Sequence, residues 1–219
     1  MSGALAGHYE LILAGQPGPA RVRLRQFLDA EGDDGRALFL MGLSHHRERA
    51  YPKAVPWFER AMAATPPYPP AAHFLGWAHY HNGNATASRA AFEQHLRLDP
   101  NEGDTHFGLG VLALERGDLD EADARLARAL DLQRRRPDRP LGVAKVLARR
   151  SEVLEQRGDV MGAIELLGEA LAIDRDLYEA HFLHARLLHR AGRVAEAAKA
   201  EAAAHAAQVR VESADGRPR

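Results

Sequence analysis

A shift of 34 residues lays this chain on itself, and that period constrains its fold more than any other feature. Gly76 stands 34 residues after Gly42 and 34 before Gly110; Phe92 is matched by Phe58 and Leu126, and Pro100 by Pro66. A fixed period of this length marks a stacked array of helical hairpins. The stretch from His73 to Pro100 gives the unit. Phe74, Leu75, Trp77, Ala78 and Tyr80 belong to a first short helix, and Asn82-Gly83-Asn84 breaks it. There the glycine can take the left-handed conformation that ends a helix. Ala87, Ala90, Ala91, Phe92 and Leu96 belong to a second helix that stops at Asp99-Pro100. One such hairpin cannot bury its own apolar face and requires similar neighbours.

Within the period the residue types recur in order. One copy reads Leu38, Met41, Gly42, His45, Ala54, Phe58, Ala61 and Pro66; the next reads Ala72, Leu75, Gly76, His79, Ser88, Phe92, His95 and Pro100. A third begins near Gly103 with Leu109, Gly110, Ala122, Leu126 and Ala129. This pattern of a large residue, Leu-Gly, an aromatic, then Ala, Phe, Ala and Pro resembles the tetratricopeptide repeat family. The resemblance implies an all-α, right-handed α-solenoid of stacked helix-turn-helix repeats.

The expected layout is a degenerate capping hairpin over 1–34, then five repeats over 35–207, at about 35–68, 69–102, 103–143, 144–177 and 178–207. In the first segment Leu5, Tyr9, Ile12 and Leu13 suit one helix, Gly15 to Pro19 breaks it, and Val22, Leu24, Phe27 and Leu28 suit a second. Pro52 fits a helix start, whereas Pro56 one turn later should bend it. Asp118 and Glu121 have capping-box spacing. After the third copy the period slips by seven residues, since Gly158 follows Gly117 by 41. The excess lies between Gln133 and Pro140 and reads as an extended second helix ended by Pro137. At the place of Phe58, Phe92, Leu126 and Leu167 the fifth repeat carries Glu201, a carboxylate costly to bury. Its last helix therefore reads as a solvated cap, followed by a disordered tail over 208–219.

Charge and composition exclude several function classes. A net charge of −1 argues against general nucleic-acid or anionic-membrane binding. The absence of cysteine rules out disulfides and thiolate chemistry. Leu11 to Ala14 is too short to cross a bilayer and no signal peptide is visible, so the expected location is cytoplasmic. The chain is rich in alanine and arginine while lysine occurs only at 53, 145 and 199, a bias that points to a high-GC bacterial source.

Catalytic signatures do not emerge. Twelve histidines invite a metal site, and His181, His184 and His189 are its best candidates, but no His-Glu-x-x-His is present. Histidines 45, 79, 181 and 184 sit where the repeat places packing residues. No phosphate loop or nucleophile elbow occurs, and the run Arg134-Arg135-Arg136 reads as a solvated loop. The expectation is a non-enzyme with no cofactor and no metal.

What remains is a surface. In the family, one face of each first helix lines a concave groove that accepts peptide segments of partner proteins. Carried over by position, that face comprises Phe39, Leu43, His46 and Arg47 in the first repeat, and His73, Trp77, Tyr80 and His81 in the second. The third contributes Phe107, Val111, Leu114 and Glu115. The fourth contributes Lys145, Glu152, Glu155 and Gln156, and the fifth Phe182, Arg186, His189 and Arg190. Trp, Tyr and Arg dominate binding energy at interfaces, so Trp77 and Tyr80 are anchor candidates if they face the groove rather than pack between helices. One family branch clamps the carboxylate terminus of heat-shock chaperones with Lys and Asn; Phe39, Leu43 and Trp77 stand in those places, which disfavours that partner. The expected function is a scaffold or adaptor for a partner peptide or short helix. The alternatives are self-assembly through the Ala-rich last helix and, more weakly, a histidine metal site.

Overall fold

The computed structural model describes residues 3–136, 138 and 140–214. Among them are twelve helices and no strand, in six consecutive hairpins. The helices are α1 Gly3–Leu13, α2 Pro17–Glu31, α3 Gly35–Arg47, α4 Tyr51–Ala63, α5 Ala71–His81 and α6 Ala85–Leu98. They continue with α7 Gly103–Glu115, α8 Leu119–Arg134, α9 Pro140–Gln156, α10 Val160–Ile173, α11 Tyr178–Arg190 and α12 Val194–Ala214. The chain divides into two compact units, the first ending at Asn101 and the second starting at Glu102. In each unit, hairpins stack side by side in the manner of an α-solenoid.

The period has a steric cause. A Cβ on Gly42 would come within 2.5 Å of the Phe58 ring, and one on Gly110 within 2.7 Å of Leu126; one on Gly76 would collide with Phe92. The glycine on the first helix is the socket into which the large residue of the second helix drops. Ser151 and Ala185 fill the same place in the last two hairpins, both buried. Phe58 also reaches forward, its ring 6.0 Å from Phe74 in the next hairpin.

Three of the second helices, α6, α8 and α10, begin on a side-chain cap. Asn84 accepts from the amide of Ala87, Asp118 from Glu121 and Asp159 from Gly162. The residue before each cap is a glycine with positive φ: 74° at Gly83, 79° at Gly117 and 85° at Gly158. The equivalent turn of the first clear repeat has Arg49 at φ 59° and an uncapping Ala50.

Several expectations change in detail. The seven extra residues are shared: α8 stops at Arg134, and α9 starts at Pro140, ahead of the expected repeat start at 144. Pro137, expected to end the helix, lies outside the described residues, as does Arg139. Pro56 sits inside α4, one turn after Pro52 as the sequence placed it, and the helix continues past it to Ala63. Glu201 is exposed, with its carboxylate 3.0 Å from His189 Nε2 on α11, so the repeat tolerates it by turning it to water. The inner face of α12 is held by Ala197, Ala200, Ala204 and Ala207 instead. Finally, α12 runs on to Ala214 where a disordered tail was expected over 208–219, and Arg210 pairs with Asp176 at 2.7 Å along this extension. Residues 215–219 lie outside the described residues.

Candidate functional site

First helices of successive hairpins line a cleft in each unit. In the first unit it measures about 470 Å³. α1 supplies Leu5, Tyr9 and Leu13; α3 supplies Arg36, Phe39, Leu40, Leu43 and Arg47; Tyr68, Pro70 and Phe74 close it. The α3 residues are spaced three, four, seven and eleven apart, which places them on one helical stripe. Charge enters this lining only through Arg36 and Arg47, both exposed.

In the second unit the cleft measures about 570 Å³ and is lined by Phe107 of α7, Lys145, Ala148, Arg149, Glu152, Glu155 and Gln156 of α9, and Leu177, Glu179, Ala180, Leu183 and Arg186 around α11. Its charges are largely paired. Arg186 binds both oxygens of Glu155 at 2.7 and 2.9 Å, Arg190 approaches the same carboxylate at 3.6 Å, and Arg149 binds Glu152 at 2.8 Å. Burial, together with the negative charge of Glu155 and Glu179, raises the Glu152 pKa above the usual carboxylate range despite Arg149. A further depression of the second unit, beside α12, has its Arg210 already bound to Asp176.

The residues expected on the groove face divide into three sets. Phe39, Leu43 and Arg47 do line the first cleft, but Phe39 and Leu43 are 8% and 7% exposed and are core residues rather than free anchors. The reason is aromatic packing: the Phe39 ring lies 5.0 Å from Tyr68 and 5.2 Å from Phe74. Val111 and Leu114 are likewise buried, in a helix covered on nearly every side, and offer no anchor.

His46, His73, Trp77, Tyr80 and His81 form the second set, an aromatic wall beside the cleft. His81 stacks on Tyr51 at 4.4 Å, and His46 meets Tyr51 edge-on at 5.1 Å and Phe74 at 5.8 Å. Trp77 is half-buried, edge-on to Phe92 at 5.3 Å and to Tyr80 at 5.5 Å. It both packs and shows a face. Burial, with help from the charges of His81 and Arg47, pulls the His46 pKa down to about 4. His46 Nε2 is buried without a hydrogen-bond partner among the described residues. Burial and then Arg49 also lower His81.

Phe107, Lys145, Glu152, Glu155, Gln156 and Arg186 come together in the second cleft. Glu115, Phe182, His189 and Arg190 do not line it; Phe182 packs edge-on to His205 at 5.3 Å. The histidines weighed for metal binding are separately engaged: His181 Nε2 lies 3.2 Å from the Arg175 carbonyl and His189 faces Glu201. Among the described residues no cluster of three potential ligands could hold a metal ion, and no helix is long and apolar enough to cross a membrane. The sequence reading missed Tyr9, Leu13, Arg36, Leu40 and Phe74. The stripe spacing of Arg36 and Leu40 with Phe39 and Leu43 was the available signal.

A tetratricopeptide repeat model matches residues 13–69, 75–140 and 148–210. Sequence comparison with curated proteins finds no match. Solved structures similar to this chain include one from the APC/C hetero-tetramer Cut9-Hcn1, with a TM-score of 0.81, 17% identity and 93% of this chain covered. This chain spans only 39% of that one. Pseudomonas aeruginosa pilF aligns with a TM-score of 0.74 and 15% identity, over 96% of this chain and 89% of its own. YrrB, described as a TPR protein with an unusual peptide-binding site, aligns at 0.63 and 18% identity, over 84% of this chain and 90% of its own. At these identities the likeness concerns the fold. Arrays of this kind typically serve as non-catalytic scaffolds for protein–protein interaction. The repeat match spans most of the chain, from the end of α1 into α12: the chain belongs to the tetratricopeptide repeat family.

Proposed function

We propose that the chain is a scaffold or adaptor that receives a partner protein's peptide segment or short helix in the cleft of its first unit. The carrying observation is the lining: a largely apolar, concave stripe from α1, α3 and α5, whose charged groups are two arginines at its edges. Mostly apolar pockets with a few placed polar groups, and a volume of several hundred Å³, are the usual form of a binding site. The peptide-binding description attached to YrrB agrees with this reading by analogy of fold. Catalysis, on this account, belongs to the partner.

Self-association through the Ala-rich last helix has less to support it. Ala197, Ala200, Ala204 and Ala207 of α12 are already buried, and the alanines left exposed, Ala195, Ala198, Ala202 and Ala206, bring none of the large aromatic or arginine anchors that dominate interface energy.

Leu13 provides the test because it lines the cleft and is 44% exposed, so a change there spares the core. Capture from the native host is compared for wild type, Leu13→Glu and the second-unit control Lys145→Ala. Proteins held by wild type and Lys145→Ala but lost by a folded Leu13→Glu are the expected result. Equal capture by all three contradicts the proposal.

A further inference from the structure

The charge of the first cleft specifies what should enter it. Resting on the reading that this cleft takes a partner segment, we infer that the segment is acidic and amphipathic: apolar side chains bounded at both ends by carboxylates. Arg36 and Arg47 are eleven residues apart on α3, just over three turns, so both lie on the stripe, with Cα atoms about 16 Å apart. Between them lie the apolar Phe39, Leu40 and Leu43. No acidic side chain shares the lining.

Neither arginine makes an ion pair among the described residues. This sets them apart from Arg21 and Arg60 of the same unit, which bind Glu48 at 2.9 Å and Asp33 at 2.6 Å. They also differ from Arg186 in the second cleft, already held by Glu155. A guanidinium fork matches a carboxylate and can bind it in bidentate fashion. A segment with basic flanks would meet like charge at both ends, so the same two residues select against it. Because they stand at the exposed rim, they act on choice of partner and on association rate more than on total affinity.

The test uses the intact chain and displayed random peptides of about 16 residues, long enough to span both arginines. Selection is run on wild type, Arg36→Glu/Arg47→Glu and Leu13→Glu, each checked for helix content. Enrichment on wild type of apolar cores with Asp or Glu on both sides is expected. Replacing those acids by Gln should weaken binding about tenfold, at moderate salt. The double variant should reject these peptides and enrich Lys- or Arg-flanked ones instead. Apolar peptides without charge preference, insensitive to the double variant but lost on Leu13→Glu, would overturn the acidic segment and leave the cleft standing. Peptides indifferent to Leu13→Glu, or no enrichment at all, would overturn both. If the double reversal fails to fold, Arg36→Gln/Arg47→Gln replaces it, with a loss of acid preference as the expected result.

Discussion

The two clefts are built alike and lined differently. Both are framed by first helices, and both units hold those helices by dropping a large second-helix residue into a small one: Phe92 over Gly76 in the first, Leu126 over Gly110 in the second. Yet the first cleft presents apolar surface and two unpaired arginines. The second presents three basic and three acidic side chains, several of which neutralise one another. Backbone geometry therefore fixes where a groove can be, and the outward stripe of the first helices decides what the groove can hold. A cleft whose charges are already satisfied must break internal pairs to bind a charged partner, whereas unpaired rim charges need only shed water.

The shared frame can be broken most severely at its sockets. Phe92→Ala should cost roughly 4 kcal/mol and Leu126→Ala roughly 3 kcal/mol in urea denaturation, since both side chains are fully buried. A cost below about 1 kcal/mol at either would show that the socket is not what holds that unit.

Acid should then separate the units. In the first, burial lowers His45, His46, His79 and His81. Their neutral forms are favoured in the fold, so the contribution is complete above the ordinary histidine value of 6.5. It is lost as pH falls toward about 4, the folded value of His46. A destabilisation on the order of 1–2 kcal/mol between pH 7 and 5 is expected after allowing for partial exposure, and His46→Phe should remove the largest share. In the second unit His184 acts in the same direction. Its carboxylates oppose each other. Asp123 is pushed up by burial, but hydrogen bonds and charge from Arg150 and Arg157 leave it lowered, so its contribution vanishes only below the ordinary carboxylate range. Glu152, raised by burial, contributes in acid and loses that contribution as pH rises through its folded value. An acid transition unchanged by His46→Phe would contradict this assignment.

Smaller effects concern the turns. Asp118→Ala removes the cap of α8 and should cost about 1 kcal/mol. In the first unit, Arg49 occupies the left-handed position that Gly117 holds in the second; Arg49→Gly should raise stability by up to about 1 kcal/mol. A loss there would mean that the Arg49 side chain contributes more than its backbone costs.

Period and sockets were legible in the sequence because a close approach leaves a glycine and a large residue at fixed places. The asparagine and aspartate caps were legible for a similar local reason. Side-chain exposure was not. Phe39, Leu43 and Val111 occupy groove positions by register but are buried, since exposure depends on what neighbouring elements bring, such as Tyr68 and Phe74 over Phe39. Nor did the period announce α1 as a wall of the cleft. Its hairpin departs from the repeat signature, and Tyr9 and Leu13 meet α3 only through tertiary packing. The continuation of α12 past residue 208 follows its Ala- and Glu-rich helix-forming sequence, and the ion pair of Arg210 with Asp176, 34 residues distant, adds a contact that the sequence did not announce.

Amide chemical-shift mapping of the intact chain, titrated with an acid-flanked peptide selected on it, tests the central claim most directly. Changes concentrated in residues 5–13, 36–47 and 68–74, with the second cleft undisturbed, are the predicted result. Changes concentrated instead in 145–156 and 177–186 would contradict the account and move the binding site to the charged cleft.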